Sequence, residues 1–346
     1  MVRTGIVGIG FMGMIHYLSY RQVAGAEVVA ICETDPVRLG GDWTSIKGNF
    51  GPPGEVMDLG DIARYSDYNE LLADANVDLV DVCLPPGMHA DVTVAALQAG
   101  KDVFCEKPIA LQPSAGARMV QMAADHEQLL MIGHVLPFFP EFDFVRRTVA
   151  EGRYGALLGG HFKRIISDPK WLSGFYDPDK IGGPMLDLHI HDAHFIRMLC
   201  GMPRAVTTVG RMRGEVAEYF SSQFRFDGNL VVTATSGTLQ QQGRAFCHGY
   251  EVHLEQATLL FEFAVIGDEP VVTMPVTVLE PDGSVTRPDI GGDPLDGFAA
   301  ELTEVAECIA ARRTSEILDG ELARDAIMLC ESQTRSLKTG ETVQIA

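Results

Sequence analysis

A glutamate and a lysine stand side by side where a short apolar segment ends. Residues 103–105 are predicted to form a buried strand, and Glu106, Lys107 and Pro108 follow it directly. Open α/β sheets bind their ligands beyond the carboxyl ends of the strands. An ammonium group there can hydrogen-bond a reacting oxygen and stabilise the negative charge that develops on it. We therefore expect the rest of the chain to bring a cofactor and a substrate to Lys107.

A second group of chemically active side chains lies further along the chain. Asp187, His191 and His194 have the spacing i, i+4 and i+7, which would place them on one face of a helix. An aspartate that hydrogen-bonds a histidine orients the imidazole and favours its protonated form, as a general base requires. An acid at a helix N-terminus followed by a core histidine would give the same pattern, so spacing alone leaves both interpretations open.

A metal site is a third interpretation of these side chains. An aspartate and two histidines are ordinary ligands of a divalent ion. The site would need a further ligand, for which Glu106 or His89 could serve. Because Lys107 in the same pocket would repel a cation, we predict no metal there.

The element that would hold a cofactor is a glycine-rich turn near the N-terminus. A strand-like run over residues 2–7 is followed by Gly8, Gly10 and Gly13 and then by a helical stretch. The first glycine permits a tight turn, the second lets the backbone approach a pyrophosphate, and the third lets the helix pack on the strand. The motif predicts dinucleotide binding at the helix N-terminus, with a plain tight turn as the alternative.

The end of the second predicted strand bears on the choice of cofactor. Glu33 lies about 20 residues beyond the last glycine, where an acid can hydrogen-bond the ribose hydroxyls of the adenosine. Its charge would repel a 2′-phosphate, so NAD is favoured over NADP, although nearby Arg38 weakens that preference. Capping of the turn at residues 34–36 is the alternative role of Glu33.

The order of the predicted elements defines the fold class. Strands and helices alternate through residue 133, which indicates a doubly wound parallel sheet, a Rossmann domain over residues 1–133. From residue 205 to 278 strands predominate, so residues 134–346 are predicted to form an α+β domain with a large, mostly antiparallel open sheet. Two C-terminal helices, residues 295–312 and 321–337, are expected to pack back on the first domain. The open sheet face is expected to form a homodimer or homotetramer.

Composition excludes several classes of protein. A net charge of −20 argues against a nucleic-acid partner, because phosphates require a basic surface. The chain has no apolar run long enough for a membrane span and no segment typical of a signal peptide. Its seven cysteines, without a Cys-x-x-Cys pair, indicate reduced thiols in a cytoplasmic protein.

Four motifs taken together resemble those of the Gfo/Idh/MocA oxidoreductases, and the resemblance runs nearly end to end. They are the glycine fingerprint, the strand end Leu84-Pro85-Pro86 with His89 behind it, Glu106-Lys107-Pro108, and the segment 182–192 in which a glycine pair precedes Asp187 and His191. The resemblance implies that Lys107, Asp187 and His191 line the substrate pocket and that the peptide bond between Lys107 and Pro108 is cis. One departure is that Leu136 and Pro137 replace an arginine pair found in many members, which puts transfer of any particular sugar substrate in doubt.

The resemblance also implies which residues contact the two ligands. The expected cofactor contacts are Gly8, Gly10, Phe11, Met12, Gly13, Glu33, Leu84, Pro85, His89, Glu106 and Lys107. The expected substrate contacts are Lys107, Trp171, Asp187, His191 and His194.

The implied reaction is hydride transfer between a nicotinamide and a secondary alcohol of a sugar, sugar derivative or cyclitol. His191 is the expected base, Asp187 orients it, and Lys107 stabilises the reacting oxygen or, if burial lowers its pKa, carries the proton. Two other functions stay open. One is an NAD-dependent glycosidase that acts by transient oxidation and elimination, and the other is a non-catalytic sensor of a dinucleotide or sugar.

Overall fold

The structure is a computed structural model that describes residues 1–48, 50–292 and 294–345. The chain divides into two compact units. Unit 1 comprises residues 1–138 and 293–324, and unit 2 comprises residues 139–292 and 325–346. Each unit has its own sheet and its own buried core.

Unit 1 contains a six-stranded sheet in the order β3-β2-β1-β4-β5-β6, in which every pair of neighbours is parallel. Its strands are β1 (Val2–Val7), β2 (Ala26–Cys32), β3 (Ala63–Tyr65), β4 (Leu79–Val82), β5 (Asp102–Glu106) and β6 (Leu130–Gly133). Its helices are α1 (Phe11–Tyr20), α2 (Pro36–Leu39), α3 (Tyr68–Ala73), α4 (Pro86–Gln98), α5 (Pro113–Asp125) and α9 (Pro294–Ala311), with a 3₁₀ turn at Leu136–Phe138. This is the predicted doubly wound sheet, and its strands are apolar because helices cover both faces.

Strand register brings the chemically active segments of unit 1 to one edge. Val7 pairs with both Cys32 and Val82, and Val82 pairs with Cys105. The residues that follow these strand positions therefore emerge together at the carboxyl edge, where parallel sheets bind ligands.

Unit 2 contains a nine-stranded sheet in the order β14-β13-β12-β11-β7-β10-β9-β8-β15. Its strands are β7 (Leu157–Ser167), β8 (Ala205–Arg213), β9 (Val216–Arg225), β10 (Val231–Leu239), β11 (Arg244–Leu254), β12 (Ala257–Ile266), β13 (Glu269–Leu279), β14 (Val285–Thr286) and β15 (Val343–Gln344). Its helices are α6 (Pro140–Ala150), α7 (Gly183–Asp187), α8 (His189–Cys200) and most of α10 (Gly320–Thr339). β7 and β10 run parallel and the other pairs are antiparallel, so the sheet is mixed but mostly antiparallel, as predicted.

The two faces of this second sheet differ in exposure. On one face, α8 packs on β7 and β10, and Phe162, Phe220 and Ala234 are buried. Apolar side chains that point the other way stay exposed, among them Val209 at 67% and Val231 at 64%. A sheet that alternates in this way has one solvated face.

The two C-terminal helices were both expected to pack on the first domain, and they belong to different units. α9 belongs to unit 1, where it packs on α1. Most of α10 belongs to unit 2 instead, because Gln333 and Ser336 on that helix hydrogen-bond His189 and the Thr208 amide within unit 2. Every helix in the described ranges is too short or too polar to cross a membrane.

Candidate functional site

The glycine turn between β1 and α1 has the geometry that a dinucleotide requires. Gly8 has φ +96°, and a Cβ on it would lie 2.7 Å from the Cys83 carbonyl oxygen. A Cβ on Gly13 would lie 2.0 Å from the Gly8 carbonyl oxygen, so only glycine lets the helix pack this closely. Gly10, by contrast, faces open space, with nothing within 4 Å of its added Cβ.

The same turn leaves the start of α1 open to an anion. Gly10 is the N-cap residue of α1, and no side chain caps the helix there. The first amides of a helix carry partial positive charge and lack intrahelical partners. An uncapped helix start beside open space fits a pyrophosphate at Gly10.

Both carboxylate oxygens of Glu33 accept hydrogen bonds from main-chain amides. Oε2 accepts a hydrogen bond from the Ile9 amide at 2.9 Å, and Oε1 accepts one from the Asp35 amide at 2.9 Å. The group therefore holds the glycine turn and also caps its own turn, which was the alternative role. Arg38 lies close by, with its Nη1 3.5 Å from the Ile9 carbonyl oxygen.

His89 joins two loops at the edge of the sheet. It is fully buried near the start of α4, with Nδ1 2.8 Å from the Pro108 carbonyl oxygen and Nε2 2.7 Å from that of Leu84. Burial lowers the pKa of His89, although both carbonyls favour its protonated form. These contacts fix the strand end at Leu84-Pro85 against the segment after Lys107. Whether Leu84, Pro85 and His89 also touch a cofactor stays a prediction.

Glu106 and Lys107 lie at the end of β5. The Lys107 amide donates a hydrogen bond to Glu106 Oε2 at 3.1 Å, so the acid fixes the main chain of its neighbour. Glu106 is 6% exposed and Lys107 is half-buried. The peptide bond between Lys107 and Pro108 is cis, as expected from the resemblance.

Sequence reasoning missed a cluster of buried titratable groups behind Glu106. Within the described ranges, His16, Asp81 and Cys83 bring ligand-type atoms within 4.8 Å of one another. His16 lies three residues after the last glycine of the fingerprint, and Asp81 interrupts a fully buried strand. An ionisable residue in the central strand of a sheet covered on both faces was the signal that could have revealed the cluster.

The predicted single helix carrying Asp187, His191 and His194 is wrong. α7 ends at Asp187 and α8 begins at His189, since the backbone departs from helical values at Leu188 (φ −106°, ψ −60°). The His191 amide donates a hydrogen bond to the Leu188 carbonyl oxygen at 3.3 Å, a 3₁₀-type contact at the start of α8. The i, i+4 spacing of Asp187 and His191 therefore spans two helices and not one.

These side chains also differ in burial. Asp187 and His191 are partly exposed, whereas His194 is fully buried. His189 and Asp192 are buried as well, and Asp192 forms a two-bond ion pair with Arg164 (2.9 and 3.1 Å). The segment that carries His191 is thus anchored from within unit 2.

The aromatic loop that precedes α7 exposes its tryptophan. Trp171 is 75% exposed, whereas Phe175 is buried. Tyr176 donates a hydrogen bond to Asp168 at 2.8 Å, and Arg213 pairs with the same carboxylate at 3.0 Å. Phe175 and Tyr176 therefore pin the loop, which leaves Trp171 available for a ligand.

Comparison with known proteins covers most of the chain. Residues 2–134 match the Gfo/Idh/MocA oxidoreductase family with its NAD-binding Rossmann fold, and residues 142–260 match the C-terminal domain of that family. Inositol 2-dehydrogenase of Rhizobium meliloti (strain 1021) is 27% identical over 357 residues, which cover 100% of this chain and 99% of that protein.

Two further proteins broaden the comparison. A 2,7-anhydro-N-acetylneuraminate hydratase of Mediterraneibacter gnavus (strain ATCC 29149) is 28% identical over 225 residues, 64% of this chain and 56% of that protein. The solved structure of levoglucosan dehydrogenase in complex with NADH and levoglucosan has the same fold, with a TM-score of 0.80, 19% identity and coverage of 99% of both chains. The chain is therefore a member of the Gfo/Idh/MocA family of NAD-binding oxidoreductases.

Proposed function

We propose that the protein is an NAD-dependent dehydrogenase that acts on a secondary alcohol of a sugar, sugar derivative or cyclitol. The observation that supports this most directly is the uncapped start of α1 with open space at Gly10, on the same sheet edge as Lys107. The full-length similarity to an inositol 2-dehydrogenase favours a polyol substrate.

Particular residues of unit 1 would hold the cofactor. Gly8, Gly10, Phe11, Met12 and Gly13 form the turn for its pyrophosphate, and Glu33 lies where it can bond the ribose hydroxyls. Bound NAD would supply the hydride acceptor, and the protein supplies geometry and charge. The Glu33 carboxylate favours NAD over NADP, because it would repel a 2′-phosphate.

The catalytic assignment is made residue by residue. Lys107 hydrogen-bonds the reacting oxygen and stabilises its developing charge, and its main chain is held by Glu106. His191 takes the hydroxyl proton, and Asp187 keeps the imidazole in the tautomer that can accept it. Trp171 and His194 complete the proposed substrate-binding residues.

A second candidate is an NAD-dependent glycosidase that acts by transient oxidation and elimination. The observation in its favour is the similarity to the 2,7-anhydro-N-acetylneuraminate hydratase. This activity would release product without net formation of NADH, so the two candidates differ in a measurable quantity.

The test is a panel of inositols, sugars, sugar acids and anhydrosugars, assayed with NAD and NADP by nicotinamide absorbance and by product chromatography. We expect Lys107→Met to lower kcat by about 10²–10³-fold, the usual loss when a donor to a reacting oxygen is removed, with NAD affinity unchanged. Lys338→Met, at an exposed lysine of α10, is the matched control. Wild-type turnover in Lys107→Met would refute the assignment.

The oligomeric state and the cellular compartment of the protein are proposed from two different observations. The exposed apolar face of the unit 2 sheet supports a homodimer or homotetramer. All seven cysteines are free thiols, which supports a cytoplasmic protein. Light scattering that gives a monomer mass, or fractionation that places the protein outside the cytoplasm, would contradict these proposals.

A further inference from the structure

A histidine bridges two buried carboxylates inside unit 1. His16 on α1 is fully buried, and its Nδ1–H donates to Asp81 Oδ2 of β4 at 2.9 Å. Its Nε2 lies 3.1 Å from Glu106 Oε1 at the end of β5, an ion-pair contact. His16 thus connects the helix that starts at the glycine turn with the strand end that carries Lys107.

Glu106 contacts both His16 and Lys107. Its Oε1 lies at ion-pair distance from His16, and its Oε2 accepts a hydrogen bond from the Lys107 amide. Each oxygen of this carboxylate therefore contacts a different group. A rotation of this side chain would break both contacts, so the orientation of Glu106 couples His16 to the main chain of Lys107.

A third buried acid faces the same cluster from α9. Glu301 is fully buried, and among the residues that the structure describes neither of its oxygens has a hydrogen-bond partner. Burial, reinforced by the nearby Glu106 charge, raises the pKa of Glu301 well above its usual range, although His16 opposes the shift. Burial therefore favours the neutral form of Glu301, and His16 is the basic side chain in contact with Asp81 and Glu106.

Charge and spacing favour positioning over metal binding for this cluster. Burial alone lowers the pKa of His16, but attraction to Asp81 and a smaller effect of Cys83 raise it well above the ordinary value. Burial also raises the pKa of the Cys83 thiol, so the sulfur is protonated. The 2.9 Å separation of the His16 and Asp81 atoms is a direct hydrogen bond, and a protonated imidazole cannot coordinate an ion.

We propose that His16, held by Asp81, is a positioning residue that fixes the Glu106 carboxylate and thereby the direction of Lys107. This inference rests on the proposed role of Lys107. It adds that α1, which begins at the glycine turn, also holds the residue that positions the lysine. The imidazole of His16 is the functional group, because its two nitrogens contact the carboxylates of Asp81 and Glu106.

The kinetic test compares His16→Asn with His126→Asn, the same substitution at an exposed histidine at the end of α5. For His16→Asn we expect kcat to fall about tenfold to 10²-fold, the effect of displacing a reacting group by roughly 1 Å, with KM for the substrate and Kd for NAD changed less than threefold. A merely structural role would lower the amount of folded enzyme and leave kcat per active site intact, as titrated by bound NAD. Unchanged kcat in folded His16→Asn would overturn the proposal.

A second measurement needs no substrate and is made on the wild-type protein, with a variant used only to assign the signal. The imidazole nitrogens of histidine-labelled wild-type protein, followed by NMR from pH 6 to 9, should show one resonance pair that stays protonated at pH 8 and that is absent from His16→Gln. A His16 ring that is neutral at pH 8 would overturn the proposal even if His16→Asn did not fold. If the wild-type protein shows a protonated His16 but no dehydrogenase turnover, the result would contradict the proposed function and not the protonation of His16.

Discussion

Each unit buries a histidine in a polar network, and the two networks differ in charge. In unit 1, His16 meets the carboxylates of Asp81 and Glu106. In unit 2, His189 meets neutral groups, with Nδ1 2.9 Å from Ser236 Oγ and Nε2 2.7 Å from the Gln333 amide nitrogen. Both rings are fully buried, so a difference in solvent exposure cannot explain how they behave.

The partners decide the protonation state. Burial lowers the pKa of His189, and the nearby Asp192 does not outweigh it, because Arg164 already pairs with that carboxylate. Burial acts on His16 in the same direction, but the Asp81 charge outweighs it. Of these two buried histidines, the one whose acidic neighbour lacks another base in the described part of the chain has the raised pKa.

The largest effect is expected from breaking the balanced charges in unit 2. Arg164→Met leaves Asp192 buried without its cation, and we expect a loss of about 3–5 kcal/mol in the free energy of unfolding. The same change should raise the pKa of His189, whose Nδ1 lies 4.0 Å from Asp192. His189 would then lie beside a buried acid that has no other cation among the described residues, as His16 does in unit 1. Urea unfolding measures the loss, and Arg164→Met with Asp192→Leu should recover most of it. A loss below 1 kcal/mol would contradict the comparison.

The next effect is an opposite pH dependence of stability. His16 binds its proton more tightly when folded, so its contribution is complete below pH 6.5 and is lost as pH rises through the raised folded pKa. His189 is neutral when folded, so stability is lost as pH falls below 6.5 toward the lowered folded pKa. Each slope can reach about 1.4 kcal/mol per pH unit.

Thermal unfolding of His16→Asn and His189→Asn from pH 5 to 9 measures this contrast. The advantage of wild type over His16→Asn should shrink above pH 6.5, and its advantage over His189→Asn should shrink below pH 6.5. Slopes of the same sign for the two variants would refute the assigned protonation states.

The smallest effect is expected at Glu301. Its raised folded pKa means that wild type loses stability as pH rises above about 4.5, where the unfolded chain ionises. Glu301→Gln removes that loss, but its amide group is buried without partners at a cost of about 1–3 kcal/mol. We therefore expect a net gain of about 1 kcal/mol in the free energy of unfolding at pH 7. Calorimetry from pH 4 to 8 measures the difference.

Glu304, on the same helix, is the matched control. Burial raises the pKa of its carboxyl, but hydrogen bonds from Arg313 and Ser315 lower it overall. Glu304→Gln should therefore destabilise the protein at pH 7. If both variants shift stability in the same direction, the neutral state of Glu301 is wrong.

Local sequence patterns predicted the helices and strands better than the breaks between helices or the unit to which a helix belongs. The glycine turn and the alternation of strands and helices could be predicted, because each depends on residues that lie close together in the chain. The break at Leu188 could not, since no proline or glycine marks it and helix periodicity continues through it. Membership of α10 in unit 2 depends on hydrogen bonds from Gln333 and Ser336 to residues more than 100 positions away.

The sequence by itself determined the parallel sheet, the mostly antiparallel second sheet, the dinucleotide turn and the family, because these depend on residue type at short spacing. Lys107 and Glu106 were identifiable in the same way. Only the tertiary structure showed that His16, Asp81 and Glu301, from α1, β4 and α9, converge behind Glu106. The physical reason is that the charge of a buried group depends on neighbours in space, and strand register sets those neighbours.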